Sequence, residues 1–79
     1  MKHLAADRLR LQLGGILREM REQARMSRPE LGKLIGVHRN TIERYEQGFD
    51  VPVVAFVAIC TALEMKPGRI LDELGRKEQ

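Results

Sequence analysis

The chain has 79 residues, of which 43% are hydrophobic and 4% aromatic, and it contains no Trp. This length has room for one domain built from closely packed short elements, which excludes a second, catalytic domain. A hydrophobic content that is nearly all aliphatic favours an all-α core over a β-sandwich, because strands are enriched in aromatic and β-branched residues. We therefore expect one all-α domain over residues 1–79, with its core at about residues 9–74.

The net charge of +3 is unevenly distributed along the sequence. Up to Gly48, ten basic residues stand against six acidic ones, a net charge of +4, whereas the remainder has four basic against five acidic residues. This asymmetry suits a polyanionic partner, although a modest excess alone is more often an ordinary solvated surface. The charge pattern alone therefore does not identify a polyanionic partner, and a binding motif is needed as well.

The cysteine content and the apolar segments bear on the compartment of the protein. Cys60 is the single cysteine of the sequence, and it can form neither an internal disulfide nor a metal cluster. No segment resembles a signal peptide or approaches the roughly 18 apolar residues of a membrane span. We therefore expect a cytoplasmic protein that does not associate with membranes.

The apolar spacing predicts five helices with short connections. In the first, over about residues 8–24, apolar residues recur every three or four positions from Leu9 to Ala24. Gly14-Gly15 inside it indicates either that this helix begins near Gly14 or that a close neighbour requires small residues there. An apolar run from Val53 to Leu63 predicts the fourth helix, and an amphipathic segment from Pro67 to Leu74 predicts the fifth.

Two very short helices lie between the first and the fourth. The second begins at Ser27-Arg28-Pro29-Glu30, where Ser27 can cap, Pro29 is tolerated in the first turn and Glu30 completes a capping box. It ends at Gly36, and the third helix runs from Arg39 to Gln47. Two such helices joined by a glycine turn are stable only when they pack steeply on other helices, which is the geometry of a helix-turn-helix.

The apolar residues of these helices predict both the core and a surface for assembly. The second helix is expected to face inward with Leu31, Leu34 and Ile35, and the fourth with Val53, Phe56, Val57, Cys60 and Leu63. The opposite face of the fourth helix carries no charge, which suggests a contact surface or cover by a terminal segment. We expect a two-fold homodimer interface there and on the fifth helix, at Val54, Ala58, Ile70 and Leu71.

A set of short motifs spans most of the chain. It comprises Leu13-Gly14, Leu17-Arg18, Met20-Arg21, Met26-Ser27, Leu31-Gly32, Ile35-Gly36-Val37, Thr41-Ile42, Glu46, Gly48, Pro52 and Ala62-Leu63. Through these motifs the segment from Leu13 to Leu74 resembles the lambda-repressor-like, Xre/Cro-type helix-turn-helix family. The resemblance implies a compact five-helix fold, a helix-turn-helix formed by the second and third helices, and double-stranded DNA as the partner.

The resemblance also implies which residues read bases. Arg39 and Asn40 match the base-reading positions at the start of the family's recognition helix, and Arg44 lies one turn onward. Their chemistry agrees, because Arg can donate to guanine O6 and N7, and Asn can pair with adenine N6 and N7. We expect base contacts from all three residues.

Other polar residues are expected to contact the DNA backbone or to support the base-reading ones. Arg28 stands where the family usually has a phosphate-holding Gln, and Gln47 matches a phosphate-contacting position. His38 is expected to cap the third helix or to touch a phosphate. Thr41 lies on the same outward face of the third helix and is expected to contact the backbone or to support the base-reading residues. Glu43 either accepts a hydrogen bond from cytosine N4 or supports a neighbouring Arg.

The resemblance implies one structural ion pair and two departures from the family pattern. The family commonly pairs an Arg of the first helix with the acid that ends the third, which implies a pair between Arg18 and Glu46. Arg25 and Glu64 stand at helix ends where the family usually has Gly. Those two ends are therefore expected to be looser.

Several functions are weighed against DNA binding. Catalysis needs a nucleophile with a base, a metal or paired carboxylates in a pocket, and the chain offers none, so we expect no enzyme, metal, cofactor or small-molecule ligand.

The leading interpretation is a transcriptional regulator, a repressor that occupies a two-fold operator. A restriction-modification controller or an antitoxin would use the same kind of domain. A protein-interaction adaptor would need an apolar or acidic outer face on the third helix, and that face has two arginines.

Overall fold

A computed structural model describes residues 2–77, without the side chains of residues 2–4, 75 and 77. Its five helices are α1 (Lys2–Gln23), α2 (Arg28–Ile35), α3 (Arg39–Glu46), α4 (Val53–Ala62) and α5 (Pro67–Lys77). No strand occurs in this part of the chain, which confirms the predicted five-helix, all-α fold. None of the described helices combines the length and the apolar character needed to cross a membrane.

Helices α1 to α4 end in the same way, with a residue in the left-handed conformation. These residues are Arg25 (φ 56°), Gly36 (φ 80°), Gly48 (φ 102°) and Glu64 (φ 58°). In each case the next backbone N–H donates to a carbonyl five residues back, as from Met26 to Arg21 at 3.1 Å and from Met65 to Cys60 at 2.8 Å. Arg25 and Glu64 therefore keep the closing bonds of a helix end, while a conformation suited to Gly costs other residues about 1–2 kcal/mol.

All five helices contribute to one hydrophobic core. Its buried members are Leu17, Met20, Leu31, Ile42, Tyr45, Phe56, Ile59, Cys60 and Ile70. The two short helices α2 and α3 contribute three of these residues between them. They are held by the scaffold of α1, α4 and α5, because helices of eight residues are not stable alone.

The predicted inner faces of α4 and α2 are partly wrong. Val53 is 71% exposed and Val57 is also exposed, whereas Ile59 is buried. Because α4 is apolar almost throughout, its sequence allows several inward stripes, and the stripe in use contains Phe56, Ile59 and Cys60. Leu34 of α2 is likewise exposed and lies in an open groove beside α4.

The expected dimer surface needs one correction. Ile70 is 2% exposed and belongs to the core, because it lies one turn before the buried Leu74 on the same face of α5. Leu71 and Val54 are exposed, and Ala58 is half-buried. The corrected surface therefore consists of Val54, Ala58 and Leu71.

The two glycines inside α1 have different surroundings. A Cβ atom on Gly14 would lie 2.6 Å from the carbonyl oxygen of Glu46 and 2.7 Å from that of Tyr45. For a Cβ placed on Gly15, the described residues have no atom within 4 Å beyond its chain neighbours and the backbone of α1 itself. The helix runs through both residues, and the expected close neighbour is the end of α3, which packs against Gly14.

Candidate nucleic-acid interface

The start of α2 is fixed by the predicted capping box. The Ser27 hydroxyl accepts a hydrogen bond from the Glu30 backbone N–H at 3.1 Å, and the Ser27 backbone N–H donates to the Glu30 carboxylate at 2.8 Å. Hydrogen bonding of the Glu30 carboxylate with the Ser27 backbone, and secondly with the Ser27 side chain, lowers the pKa of Glu30. The reciprocal pair sets the direction in which Arg28, the first residue of α2, leaves the turn.

The turn between α2 and α3 brings the two helices very close. A Cβ atom on Gly32 would lie 2.5 Å from the carbonyl oxygen of Val37, so a larger residue there would push α3 away from α2. Gly36 ends α2, and its N–H donates to the Gly32 carbonyl at 2.8 Å. This close crossing fixes the angle at which α3 leaves the body of the protein.

Helix α3 has one buried face and one open face. Ile42 and Tyr45 are buried in the core. Arg39, Asn40 and Arg44 are exposed, and in the described part of the chain their side chains form no hydrogen bond or ion pair. Their donor groups are therefore available to an external acceptor.

His38 caps the N-terminus of α3. Its Nδ1 atom accepts a hydrogen bond from the backbone N–H of Asn40 at 3.0 Å. The structure thus shows the capping role expected for His38, while its expected phosphate contact stays a prediction, and the ring itself is exposed. Thr41, in the first turn, is half-buried, and its N–H bonds to the His38 carbonyl.

A buried carboxylate fixes the other end of α3. The side chain of Glu46 is 2% exposed and accepts from two guanidinium groups. Arg21 binds it through Nε at 2.7 Å and Nη2 at 3.1 Å, and Arg28 binds it through Nε at 2.9 Å. The hydrogen bonds and charge of Glu46 raise the pKa of Arg21. One carboxylate thus ties together the end of α1, the start of α2 and the end of α3.

The expected ion pair between Arg18 and Glu46 is wrong. Arg18 is exposed and binds Glu22 at 3.1 Å on the surface of its own helix. Arg21 instead follows the buried Leu17 by four residues and so lies on the same side of α1, whereas Arg18 is turned about 100° from Leu17. Counting positions from the buried face would have selected Arg21, which the sequence interpretation missed.

Glu43 and Gln47 form a pair on the open face of α3. The Gln47 amide donates to the Glu43 carboxylate at 3.4 Å, one helical turn apart. Glu43 therefore contacts a glutamine in the unbound chain, and the two roles expected for it at the DNA, acceptance from cytosine N4 or support of a neighbouring Arg, stay predictions. The contact joins side chains four residues apart at the end of α3.

An open groove lies between the starts of α2 and α3. It is lined by Arg21, Ser27, Arg28, Pro29, Arg39, Asn40 and Glu43. Four of the eight expected contact or supporting residues, Arg28, Arg39, Asn40 and Glu43, therefore share one surface, while Arg44 lies further along α3 and Gln47 follows its end. No group of three or more potential metal ligands occurs among the described residues.

The short helix pair, its close approach at Gly32 and its polar outer helix are the features of the helix-turn-helix class of fold. Residues 12–74 match the family described as the helix-turn-helix domain, and the chain belongs to this family. The chain is also similar to a Methanoregula boonei protein whose name provisionally assigns it to the HTH-type transcriptional regulatory proteins. They are 41% identical over 46 residues, which cover 58% of this chain and 14% of that relative.

Proposed function

We propose that the chain is a sequence-specific, double-stranded DNA-binding domain of a transcriptional regulator of the lambda-repressor-like, Xre/Cro type. In this proposal it acts as a repressor at a two-fold operator, and residues 1–79 form a single domain. DNA binding requires no cofactor, metal, small-molecule ligand or catalytic activity. A cytoplasmic location is part of the proposal, because genomic DNA and a single free thiol both fit a reducing compartment.

One observation carries the proposal. The side chains of Arg39 and Asn40 are exposed and without an intramolecular partner in the described residues, and they stand beside Arg28 in one groove. Helix-turn-helix proteins place the start of this helix in the major groove, while nearby residues hold phosphates. The arrangement supplies both kinds of contact from two adjacent helix starts.

The proposed roles follow from position. Arg39, Asn40 and Arg44 contact bases. The residues proposed to contact the backbone or to support the base-reading residues are Arg28, His38, Thr41, Glu43 and Gln47. Arg28 suits a phosphate, because Glu46 binds its Nε atom and leaves the two Nη groups to donate outward. Glu43 suits a supporting role, since it holds the Gln47 amide.

A binding selection tests sequence recognition. Duplexes selected from a random pool should be bound far more tightly than scrambled ones in fluorescence anisotropy. Arg39→Ala or Asn40→Ala should weaken binding to the selected duplex by about 1–3 kcal/mol and leave scrambled DNA nearly unaffected. Arg18→Ala, which removes the same charge from an exposed residue of α1, is the matched control for Arg39→Ala. Equal losses on both duplexes would contradict base reading.

A salt titration tests the proposed phosphate contact. Arg28→Ala should weaken binding to all sequences similarly and reduce the slope of log K against log salt by about one unit. The slope for Arg18→Ala should match that of the wild type. An unchanged slope for Arg28→Ala would remove Arg28 from the phosphate contacts.

The proposed assembly is a homodimer through the outer faces of α4 and α5. One short recognition helix covers few base pairs, and a two-fold dimer would read half-sites about 34 Å apart. The corrected surface supplies two exposed apolar side chains, Val54 and Leu71, and the half-buried Ala58 for an isologous contact.

Sedimentation equilibrium at micromolar concentration tests this interface. Val54→Asp or Leu71→Asp should convert a dimer into a folded monomer with weakened operator binding. Leu11→Asp, which changes an exposed aliphatic residue of α1 in the same way, should leave the dimer intact. A wild-type chain that stays monomeric on a palindromic duplex would refute the interface.

Three alternatives keep the same fold. A restriction-modification controller or an antitoxin would bind DNA through the same residues, and the identity of the genes beside the operator distinguishes both from a repressor. A protein-interaction adaptor is disfavoured because the outer face of α3 presents two exposed arginines and an asparagine in place of an apolar or acidic surface.

A further inference from the structure

His38 is an unusual residue for the start of a helix. The position before the first helical residue favours Ser, Thr, Asp or Asn, whose short side chains accept from the backbone N–H groups. His38 performs this role with a ring: its backbone is extended (φ −72°, ψ 150°), and Nδ1 accepts from the Asn40 N–H at 3.0 Å. The cap leaves a second ring nitrogen that a serine would not supply.

The cap determines which ring nitrogen carries the proton. A backbone N–H can only donate, so Nδ1 must present its lone pair to Asn40. In a neutral imidazole the proton then resides on Nε2, which becomes a hydrogen-bond donor. Nε2 has no hydrogen-bond partner in the described part of the chain, and the side chain is exposed. The α3 backbone thus orients a free N–H donor toward solvent.

This donor directly precedes Arg39 and Asn40, the residues proposed to read bases. The first residues of a recognition helix reach base edges in the major groove. Both purines present the same acceptor there, the N7 atom. Phosphate oxygens are the alternative acceptors near a helix start.

We propose, on the basis of the proposed function, that His38 determines specificity by donating its Nε2–H to a purine N7 in the major groove. The Nδ1 cap positions the ring, and Nε2 reads the base. His38 therefore selects a purine over a pyrimidine at the edge of the sequence that Arg39 and Asn40 read.

His38→Ser separates capping from recognition, because Ser is a favoured cap but lacks the ring donor. This variant should unfold at the same urea midpoint as the wild type, whereas His38→Ala, which loses the cap, should unfold earlier. In fluorescence anisotropy, His38→Ser should bind the selected duplex about three- to tenfold more weakly, the range of one net hydrogen bond, and bind scrambled DNA unchanged.

Duplexes with single 7-deazapurine replacements identify the acceptor. At one position the replacement should weaken wild-type binding by the same three- to tenfold and leave His38→Ser unaffected. A repeated selection with His38→Ser should lose the purine preference at that position alone. Equal weakening of selected and scrambled duplexes would assign His38 to a phosphate and overturn the proposal, as would an unchanged affinity of His38→Ser.

The two proposals fail in different ways. If the wild type prefers no duplex from the pool, the proposed function itself is wrong. If the wild type is selective and Arg39→Ala relaxes its selectivity while His38→Ser does not, the inference about His38 alone is refuted.

Discussion

The two ends of α3 differ in their surroundings, because one is buried and ion-paired and the other is exposed. At its C-terminal end, Glu46 is buried between Arg21 and Arg28, and its carbonyl lies against Gly14. At its N-terminal end, Arg39 and Asn40 are exposed, and in the described residues their side chains have no protein partner. We call these the anchored end and the free end of α3.

The eight-residue helix α3 therefore has one end that contributes to the stability of the fold and another end that is available for DNA recognition. Substitutions at the anchored end should affect folding, because they leave buried charge or crowd a backbone contact. Substitutions at the free end should affect DNA affinity with little change in stability, because those side chains are exposed and form no hydrogen bond or ion pair in the described part of the chain.

Removal of Glu46 should have the largest effect on stability. Glu46→Ala leaves Arg21, whose side chain is 9% exposed, without its charge partner, and should cost about 3–5 kcal/mol in urea denaturation. Arg18→Ala, which breaks only the exposed pair with Glu22, should cost about 0.5 kcal/mol or less.

Double-mutant cycles sharpen this result. Arg21 and Glu46 should show a coupling energy above about 0.5 kcal/mol, while Arg18 and Glu46 should be additive within that margin. Coupling between Arg18 and Glu46, or additivity of Arg21 and Glu46, would contradict the assignment of the buried pair.

The two adjacent glycines of α1 should respond in opposite directions. Gly14→Ala places a methyl group against two carbonyl oxygens of the anchored end and should destabilise by about 1–3 kcal/mol. Gly15→Ala, which faces open space in mid-helix, should stabilise by about 0.5–1 kcal/mol. Thermal and urea unfolding of both variants provide the comparison, and equal effects would show that α1 does not pack on α3 at Gly14.

The sequence was sufficient to predict the fold, because local signals and the overall packing agree. The capping box at Ser27 and the glycine at Gly36 determine the helix-turn-helix, and both have the expected geometry. The sequence was less informative for α4, where an almost uniformly apolar helix has no preferred face. Ile70 was assigned outward because two adjacent apolar residues, Ile70 and Leu71, offered two possible faces.

The site could be predicted in part. The polar outer face of α3 follows from the spacing of Ile42 and Tyr45, so Arg39 and Asn40 were correctly expected to be exposed. The partner of Glu46 was predicted wrongly. The resemblance implies that an arginine of the first helix binds this acid, but the position of each arginine around the helix decides which one makes the contact.

Substitution of the non-glycine residues at the left-handed helix ends by Gly should increase stability. Arg25→Gly and Glu64→Gly should each stabilise by up to about 1 kcal/mol, because relief of the unfavourable φ exceeds the entropy that Gly gains in the unfolded chain. DNA affinity should not change, since neither residue lines the groove. A loss of stability in either variant would argue against the left-handed conformation at that residue.

The smallest expected effect concerns the pH dependence at the start of α2. The pKa of Glu30 is lowered in the folded chain, so its stabilising contribution is complete above the unfolded pKa near 4.5 and is lost as the pH falls through the folded pKa. Glu30→Gln should retain the capping geometry and flatten the fall in urea stability below about pH 4.5. An identical pH profile for the variant would mean that the Glu30 carboxylate is not hydrogen-bonded to Ser27 in the folded chain.

The contacts of the free end with DNA test the central claim most directly. In a complex of the isotopically labelled chain with its selected duplex, intermolecular nuclear Overhauser effects should connect the Arg39 and Asn40 side chains with major-groove protons, such as cytosine H5 or thymine methyl groups. Residues of the anchored end should show none. If major-groove contacts arise from other helices while Arg39 and Asn40 remain free, α3 does not read the DNA sequence.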